Sequence, residues 1–476
     1  MRALILFHRW LGVAFCLLFA MWFASGIVMH FVPFPALTET ERAGGLAVLD
    51  MTGVVNSPAE AVSAAKIKDA TRVRLLRRPD GPVYLVTGSS GMAALRAADL
   101  SDAAVHSREL ALAIATDFAR HRGMDTLHAG VADLAPYDQW TVASGFDSHR
   151  PLYRVALNDS AGTELYISSQ TGEVVLETTR HQRMWSYLGS VAHWVYPTAL
   201  RSHPAAWTVL VWWLSLLALI GASAGAMVGT LRIERLGPRL VSPYTGIQAW
   251  HHWLGLCCML FVLPWIFSGW LSMDNGRLFS TGIPTDAERA SIAGIQDWQA
   301  LPGDEIQRIS TGSVEVGWFA FGGQLYRRDR ISAGVQRLFH TGSNQPESEF
   351  LPPADVDAAA RHLTRGCDSA VVVGPGDRYP AAAIMPEAPV FRVVCGADWF
   401  DIDGASGALL EKLDPSRRVY RWLYGALHTL DFPVLTARPA LRAFVVVLLC
   451  SCGFVFSMTG VVIAWRRLLL RFRAPA

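Results

Sequence analysis

The sequence predicts an α-helical integral membrane protein with four transmembrane helices in a duplicated two-plus-two arrangement and two α+β domains outside the membrane. Three observations predict it. The composition is too apolar for a soluble domain, four apolar runs are long enough to cross a bilayer, and two fixed offsets relate the first half of the chain to the second.

Of 476 residues, 51% are hydrophobic and only 17% charged, and the mean hydropathy is +0.27. That balance is also too polar for a chain buried wholly in lipid. With 42 basic and 40 acidic side chains the net charge is +2, which argues against a nucleic-acid binder.

The apolar runs cover residues 4–32, 205–231, 246–273 and 443–465. Each meets the roughly 20 residues that a spanning helix needs. The last three contain no Asp, Glu, Lys or Arg, and the first contains only Arg9, near enough to its end to snorkel. The first run is too long for a signal-peptide core and recurs in the third, so it reads as a span.

Arginines set the orientation. Arg2 precedes the first span, Arg232, Arg235 and Arg239 lie between the second and third, and Arg466, Arg467, Arg471 and Arg473 follow the fourth. Both termini are therefore expected inside a bacterial inner membrane, with the long connections in the periplasm. The expected organisation is span 1–32, outer domain 33–180, pre-membrane helix and span 181–232, and inner loop 233–245. Span 246–273, outer domain 274–415, pre-membrane helix and span 416–466, and cytoplasmic tail 467–476 follow.

The stretch HRWLG at 8–12 reappears as HHWLG at 251–255, an offset of 243 that also takes Ser25-Gly26 to Ser268-Gly269. A second offset, 235, takes Thr171-Gly172 to Ser406-Gly407, His193 to His428, His203-Pro204 to Arg438-Pro439, and Ala224-Gly225 to Thr459-Gly460. Both halves keep the same inside–outside order, as in a parallel repeat about an axis along the membrane normal.

In the first outer domain, Ser57, Pro58 and Glu60 form a capping-box signature that opens a helix. Strands at 73–76 and 83–87 flank a turn at 79–82, a helix at 107–122 stops at Gly123, and strands at 152–157 and 164–167 precede a turn at 170–173. The second domain shows a helix at 354–363 and strands at 391–394 and 399–402. No nucleophilic triad, phosphate loop or dinucleotide fingerprint is present. Among seven cysteines no C-x-x-C-H or zinc-like spacing occurs. Cys367 and Cys395 fit either a periplasmic disulfide or two free thiols.

Seven of the fourteen histidines stand in or beside the spans: His8, His30, His193, His203, His251, His252 and His428. Ionisable groups at membrane depth are costly and are functional candidates by default. Imidazole is a common axial ligand of haem iron. The repeat brings His8 opposite His251 near the cytoplasm and His193 opposite His428 near the periplasm, so each pair could grip one macrocycle, giving two non-covalent b-type haems. Gly12, Gly255, Gly189 and Gly425 would leave room for a flat ring. The alternatives are interfacial hydrogen bonding and a proton path in a transporter.

His30 lies about 33 Å along the helix from His8 and on the same face, about 40° past whole turns. Its repeat partner is Met273, which leaves an asymmetric ligand role open. His252 matches Arg9 and reads as an interfacial polar residue, and His203 reads as structural. Arg72, Arg74, Arg77 and Arg78 either attract an anion or form a solvated strand face.

Several stretches carry a family resemblance: HRWLG at 8–12, DQWT at 138–141, HRPLY at 149–153, QTGEV at 170–174, LGSVAHWVYP at 188–197, WHHWLG at 250–255 and RWLYGALHTLDF at 421–432. In these the chain resembles, over nearly its whole length, the PepSY-associated transmembrane helix family of bacterial inner-membrane proteins. The resemblance implies PepSY-like outer domains and a di-haem oxidoreductase that reduces a ferric siderophore or other ferric chelate during iron uptake. His8, His193, His251 and His428 lie in the family's histidine motifs; no catalytic residue is assigned. The second domain departs from the pattern, with Ser406-Gly407 in place of Thr-Gly and no acidic residue after it. Some relatives carry a flavin-reductase domain; the short tail here implies a separate cytoplasmic reductase or a membrane quinol as donor. The rival readings are a membrane-anchored PepSY binding or regulatory module without redox activity, and a proton-coupled transporter.

Overall fold

Four helices are long and apolar enough to cross a membrane: Arg2–Phe31, Pro204–Leu231, Gly246–Leu271 and Pro439–Arg473. They are called the first to fourth long helices here. The second and fourth open on a proline, whose fixed φ suits the first helical turn and whose missing N–H needs no partner there. The fourth extends well beyond the expected span, so residues assigned to a tail are helical through Arg473. Leu and Arg, both good helix formers, fill that extension. The computed structural model describes the whole chain except residues 276, 295–296, 365, 375, 381–387 and 474–476, so the last three residues of the expected tail lie outside the described ones.

The chain is not purely helical. The first connection contributes β1 (Ala70–Arg78), β2 (Gly81–Gly88), β3 (Gly91–Arg96), β4 (Gly130–Ala135), β5 (Leu152–Ala156), β6 (Glu164–Ser168) and β7 (Val174–Thr178). A hairpin of β8 (Glu234–Leu236) and β9 (Arg239–Val241) occupies the expected inner loop. The second connection contributes β10 (Glu315–Phe321), β11 (Gln324–Ser332), β12 (Val335–His340), β13 (Val371–Val372), β14 (Val390–Cys395), β15 (Asp398–Asp403) and β16 (Leu409–Leu413).

Each connection thus runs as a three-stranded meander, a helix and a four-stranded antiparallel sheet. The first-connection helices are Pro58–Ala65, held by a reciprocal Ser57–Glu60 capping box, and Arg108–His121, capped by Ser107. The second connection has a short helix, Asp286–Ala293, with a Thr285–Glu288 capping box, and Pro353–Ala360, shorter than expected because residues 361–363 close as tighter i→i+3 turns. Cys367 and Cys395 are joined in a disulfide, their Cα atoms 4.1 Å apart.

The two segments expected as separate domains share one sheet. Its order is β12-β11-β10-β1-β2-β3, with Val73 opposite Trp318 and Leu75 opposite Val316. All four of those side chains are fully buried. Once β1 has paired with β2, its other edge presents unpaired N–H and C=O groups, and β10 pairs with them. Residues Pro35–His181 and Ser280–Arg417 accordingly form one compact unit. Met1–Phe34, Gln182–Phe279 and Arg418–Ala476, which contain the four long helices, form the other.

Charge reinforces the β1–β10 seam. Glu315 of β10 is buried and meets Arg42 at 2.9 Å, Arg74 of β1 at 3.3 Å and Arg328 of β11 at 3.4 Å. Burial alone would raise its carboxyl, but the guanidiniums of Arg42, Arg74 and Arg328 hold it well below the ordinary carboxylate value. We expect Glu315→Ala to cost about 3–5 kcal/mol in thermal melts at neutral pH, because it strands buried cations. The depressed carboxyl stabilises the fold fully above its ordinary value and loses that contribution as pH falls through the folded one. The wild-type melting temperature should therefore drop on acidification more steeply than that of the variant.

Candidate functional site

The apolar bundle holds two histidine pairs, built from equivalent residues of the two halves. His8 stands near the start of the first long helix and His251 near the start of the third. Their ring centroids lie 6.4 Å apart at an interplanar angle of 30°. The second and fourth helices cradle them. A Cβ on Gly225 would fall 2.5 Å from His8 Cε1, so only glycine fits there, and Gly460 sits at the corresponding place beside His251.

The other pair reverses the roles of the helices. His193 and His428 precede the second and fourth long helices, with centroids 6.1 Å apart and planes at 66°. The first and third helices now form the cradle. Gly26 faces His193, and Gly269 faces His428 with a would-be Cβ only 3.1 Å from its Cε1. Gly26 follows His8 by eighteen residues on one helix, so the two pairs lie about 27 Å apart along the bundle.

The backbone around the second pair departs from regular helix in the same way in both halves. A π-helical turn, Tyr187–Val191 or Arg421–Ala426, comes just before each histidine. Two residues after each, Val195 (φ 51°) and Leu430 (φ 53°) adopt the left-handed conformation that side-chain-bearing residues avoid. Such departures persist only where the surroundings enforce them, and they concentrate at functional sites.

All four imidazoles are tied at Nδ1. His8 Nδ1 lies 3.1 Å from Gly221 O, His193 Nδ1 3.0 Å from Ser25 Oγ, and His251 Nδ1 2.8 Å from Thr459 Oγ1. His428 Nδ1 lies 3.2 Å from Ser268 Oγ and 3.3 Å from Trp265 O. A carbonyl only accepts. Each hydroxyl is also within donating distance of a carbonyl of its own helix that can take its one proton: Ser25 of Met21, Thr459 of Phe456 and Ser268 of Trp265. The network therefore assigns the proton of each neutral imidazole to Nδ1. Nε2 is left as a lone-pair donor, and it makes no hydrogen bond among the described residues.

This is the donor set of a metal-binding histidine, whose second nitrogen is oriented by a hydrogen bond. Two imidazoles on opposite faces of one iron would place their centroids about 6.2 Å apart, from metal–nitrogen bonds of about 2.0 Å and about 1.1 Å from nitrogen to ring centre. Both pairs match that spacing. A cavity of about 290 Å³ opens beside His8 and His251, and Gly12 and Gly255 line it.

The remaining residues singled out by the sequence divide. His30 joins neither pair; its ring lies 5.1 Å from that of Phe31. His252 uses both ring nitrogens, on Ser242 and Gly229 O, and has none left for a ligand. His203 stands at the N-terminal boundary of the second long helix without a side-chain cap bond and contacts Ser202. Gly189 packs against Val28 and Met29, and Gly425 faces Asp431, so neither opens space beside a histidine. Outside the bundle, His340, Glu347 and Asp355 have ligand atoms within 4.8 Å of one another, but His340 pairs with Glu347 and Tyr326 donates to Asp355. The hydroxyls of Ser25, Ser268 and Thr459 were not expected as site residues, although the repeat offsets had marked all three positions. No family model matches the chain and no curated protein matches it, so the reading of the site rests on its geometry.

Proposed function

We propose that the chain is a membrane-spanning electron conduit holding two non-covalent b-type haems, one between His8 and His251 and one between His193 and His428. The observation that carries this reading is that both pairs combine the spacing of bis-imidazole ligation with Nδ1 held as a donor and Nε2 left free. Four helices of membrane-crossing length support it. Bound haem supplies reversible one-electron chemistry near each end of the bundle. The protein's residues orient the imidazoles, which Gly225 and Gly269 give room to pack, and exclude water with apolar walls.

The chain is proposed to lie in a bacterial inner membrane with both termini inside, in accord with its arginine distribution. The resemblance to PepSY-associated membrane proteins directs the acceptor reading to a periplasmic ferric chelate, such as a siderophore in iron uptake. Reduction would loosen hard oxygen ligands on the iron. The donor would be a separate cytoplasmic reductase or a membrane quinol.

Purified from haem-replete cells, the protein should show Soret and α-bands equivalent to about two haems per chain; a colourless product would sink the reading in favour of a non-redox module or a transporter. His193→Ala should remove one low-spin signal and leave the other, and an unchanged spectrum would exclude His193 as a ligand. Gly225→Val should act only on the other signal, because the added side chain collides with His8 and leaves the His193/His428 cradle untouched. Low-temperature electron paramagnetic resonance separates the two signals.

A further inference from the structure

The unit without long helices contains a cavity of about 570 Å³, within the range of small-molecule sites. Its floor is one face of the six-stranded sheet. Arg72 and Arg74 alternate on β1, and Arg328 of β11 stands across β10 from Arg74, with Gly317 between them carrying no side chain. Arg42 and Arg289 complete the cationic lining, against Glu39, Glu173 and Glu315. Five arginines thus face three glutamates, an excess of two positive charges.

The arginines are unequally used. Arg42 and Arg74 are committed to the three glutamates, with contacts down to 2.6 Å. The Arg72 side chain makes no hydrogen bond or ion pair among the described residues. Arg289 makes one hydrogen bond, to Leu409 O at 3.2 Å, and Arg328 has only the 3.4 Å contact with Glu315. Burial, with Arg330 and Arg72 close by, outweighs Glu315 and pushes the Arg328 guanidinium down to about 10. His149 lines the same cavity, and its buried Nδ1 has no partner. The other arginines of this stretch do not take part: Arg78 is bound to Asp80, Ala103 O and Thr171 O, and Arg77 is exposed.

Guanidiniums short of counter-charge are stabilised by an oxyanion, which accepts two parallel hydrogen bonds from each. We propose that this cavity binds a small molecule bearing two or more oxyanion charges, held by Arg72, Arg289 and Arg328. Carboxylates and phosphates share that chemistry. The site stands whatever occupies the histidine pairs.

Equilibrium dialysis of the full chain in detergent, with citrate and with pyrophosphate as probes, tests it. One saturable site for either probe, weakening as salt rises, supports the proposal and shows which oxyanion is preferred. Arg72→Met should weaken that binding at least about tenfold. It should also melt no lower than the wild type without probe, since it removes an unpaired cation. Arg289, exposed on its short helix, supplies a second variant, Arg289→Met, whose folding is not in question. Absence of saturable binding by both probes, or binding unchanged in both variants, overturns the proposal.

Discussion

A hydroxyl has a single proton, and the histidine sites depend on where it goes. In an apolar bundle an imidazole must satisfy its N–H internally or pay several kcal/mol. Ser25, Ser268 and Thr459 each direct their proton back to a carbonyl of their own helix, so only lone pairs face the neighbouring imidazole. That choice fixes the tautomer, which leaves Nε2 without a proton. Were the hydroxyls free to donate, Nδ1 could accept and the proton would move to the face where a ligand is needed. Short hydroxyl-to-carbonyl bonds within the helices are thus the origin of the site's donor chemistry.

The second constraint is steric. The helix that supplies a hydroxyl to one histidine also supplies a glycine beside it: Ser25 with Gly26, Ser268 with Gly269, Thr459 with Gly460. One dipeptide therefore anchors and makes room, which is why it follows the repeat offset so closely. The cost appears in the backbone instead. Val195 and Leu430 occupy left-handed conformations just beyond their histidines, where glycine would be at ease. The same strain at two equivalent places indicates that the reversal of the chain after each histidine is set by how the histidine segment packs into the bundle. At His193 that packing includes a Trp22 Nε1 donor on the His193 carbonyl, 3.0 Å away.

Local signals were legible in the sequence where the physics is local. Apolar length marked the four long helices, the Ser57–Glu60 capping box marked its helix, and the two offsets paired the histidines whose rings lie close together. Signals that depend on facing surfaces were not. Ser25 and Thr459 were visible as repeat markers, but their role depends on which side of one helix meets another. The β1–β10 pairing joins residues about 240 positions apart, and no local alternation records it. Among Arg72, Arg74, Arg77 and Arg78 the sequence shows four like charges. Only the turn at Asp80 and the register with β10 separate the bound Arg78 from the unpaired Arg72.

Where the halves diverge, they show what is being constrained. By the 235 offset, Ala224 corresponds to Thr459 and Gly221 to Phe456. Beside His251 a threonine hydroxyl receives Nδ1, and Phe456 stacks on the ring at 4.9 Å. Beside His8 the hydroxyl is missing, and the Gly221 carbonyl receives Nδ1 instead. The partner atom, the residue type and the position all differ, yet both partners present only lone pairs. A purely architectural role for these histidines would be met by any hydrogen bond of suitable length, in either direction. Keeping the direction while changing the atom places the requirement on the proton of each imidazole, and hence on the free nitrogen opposite it.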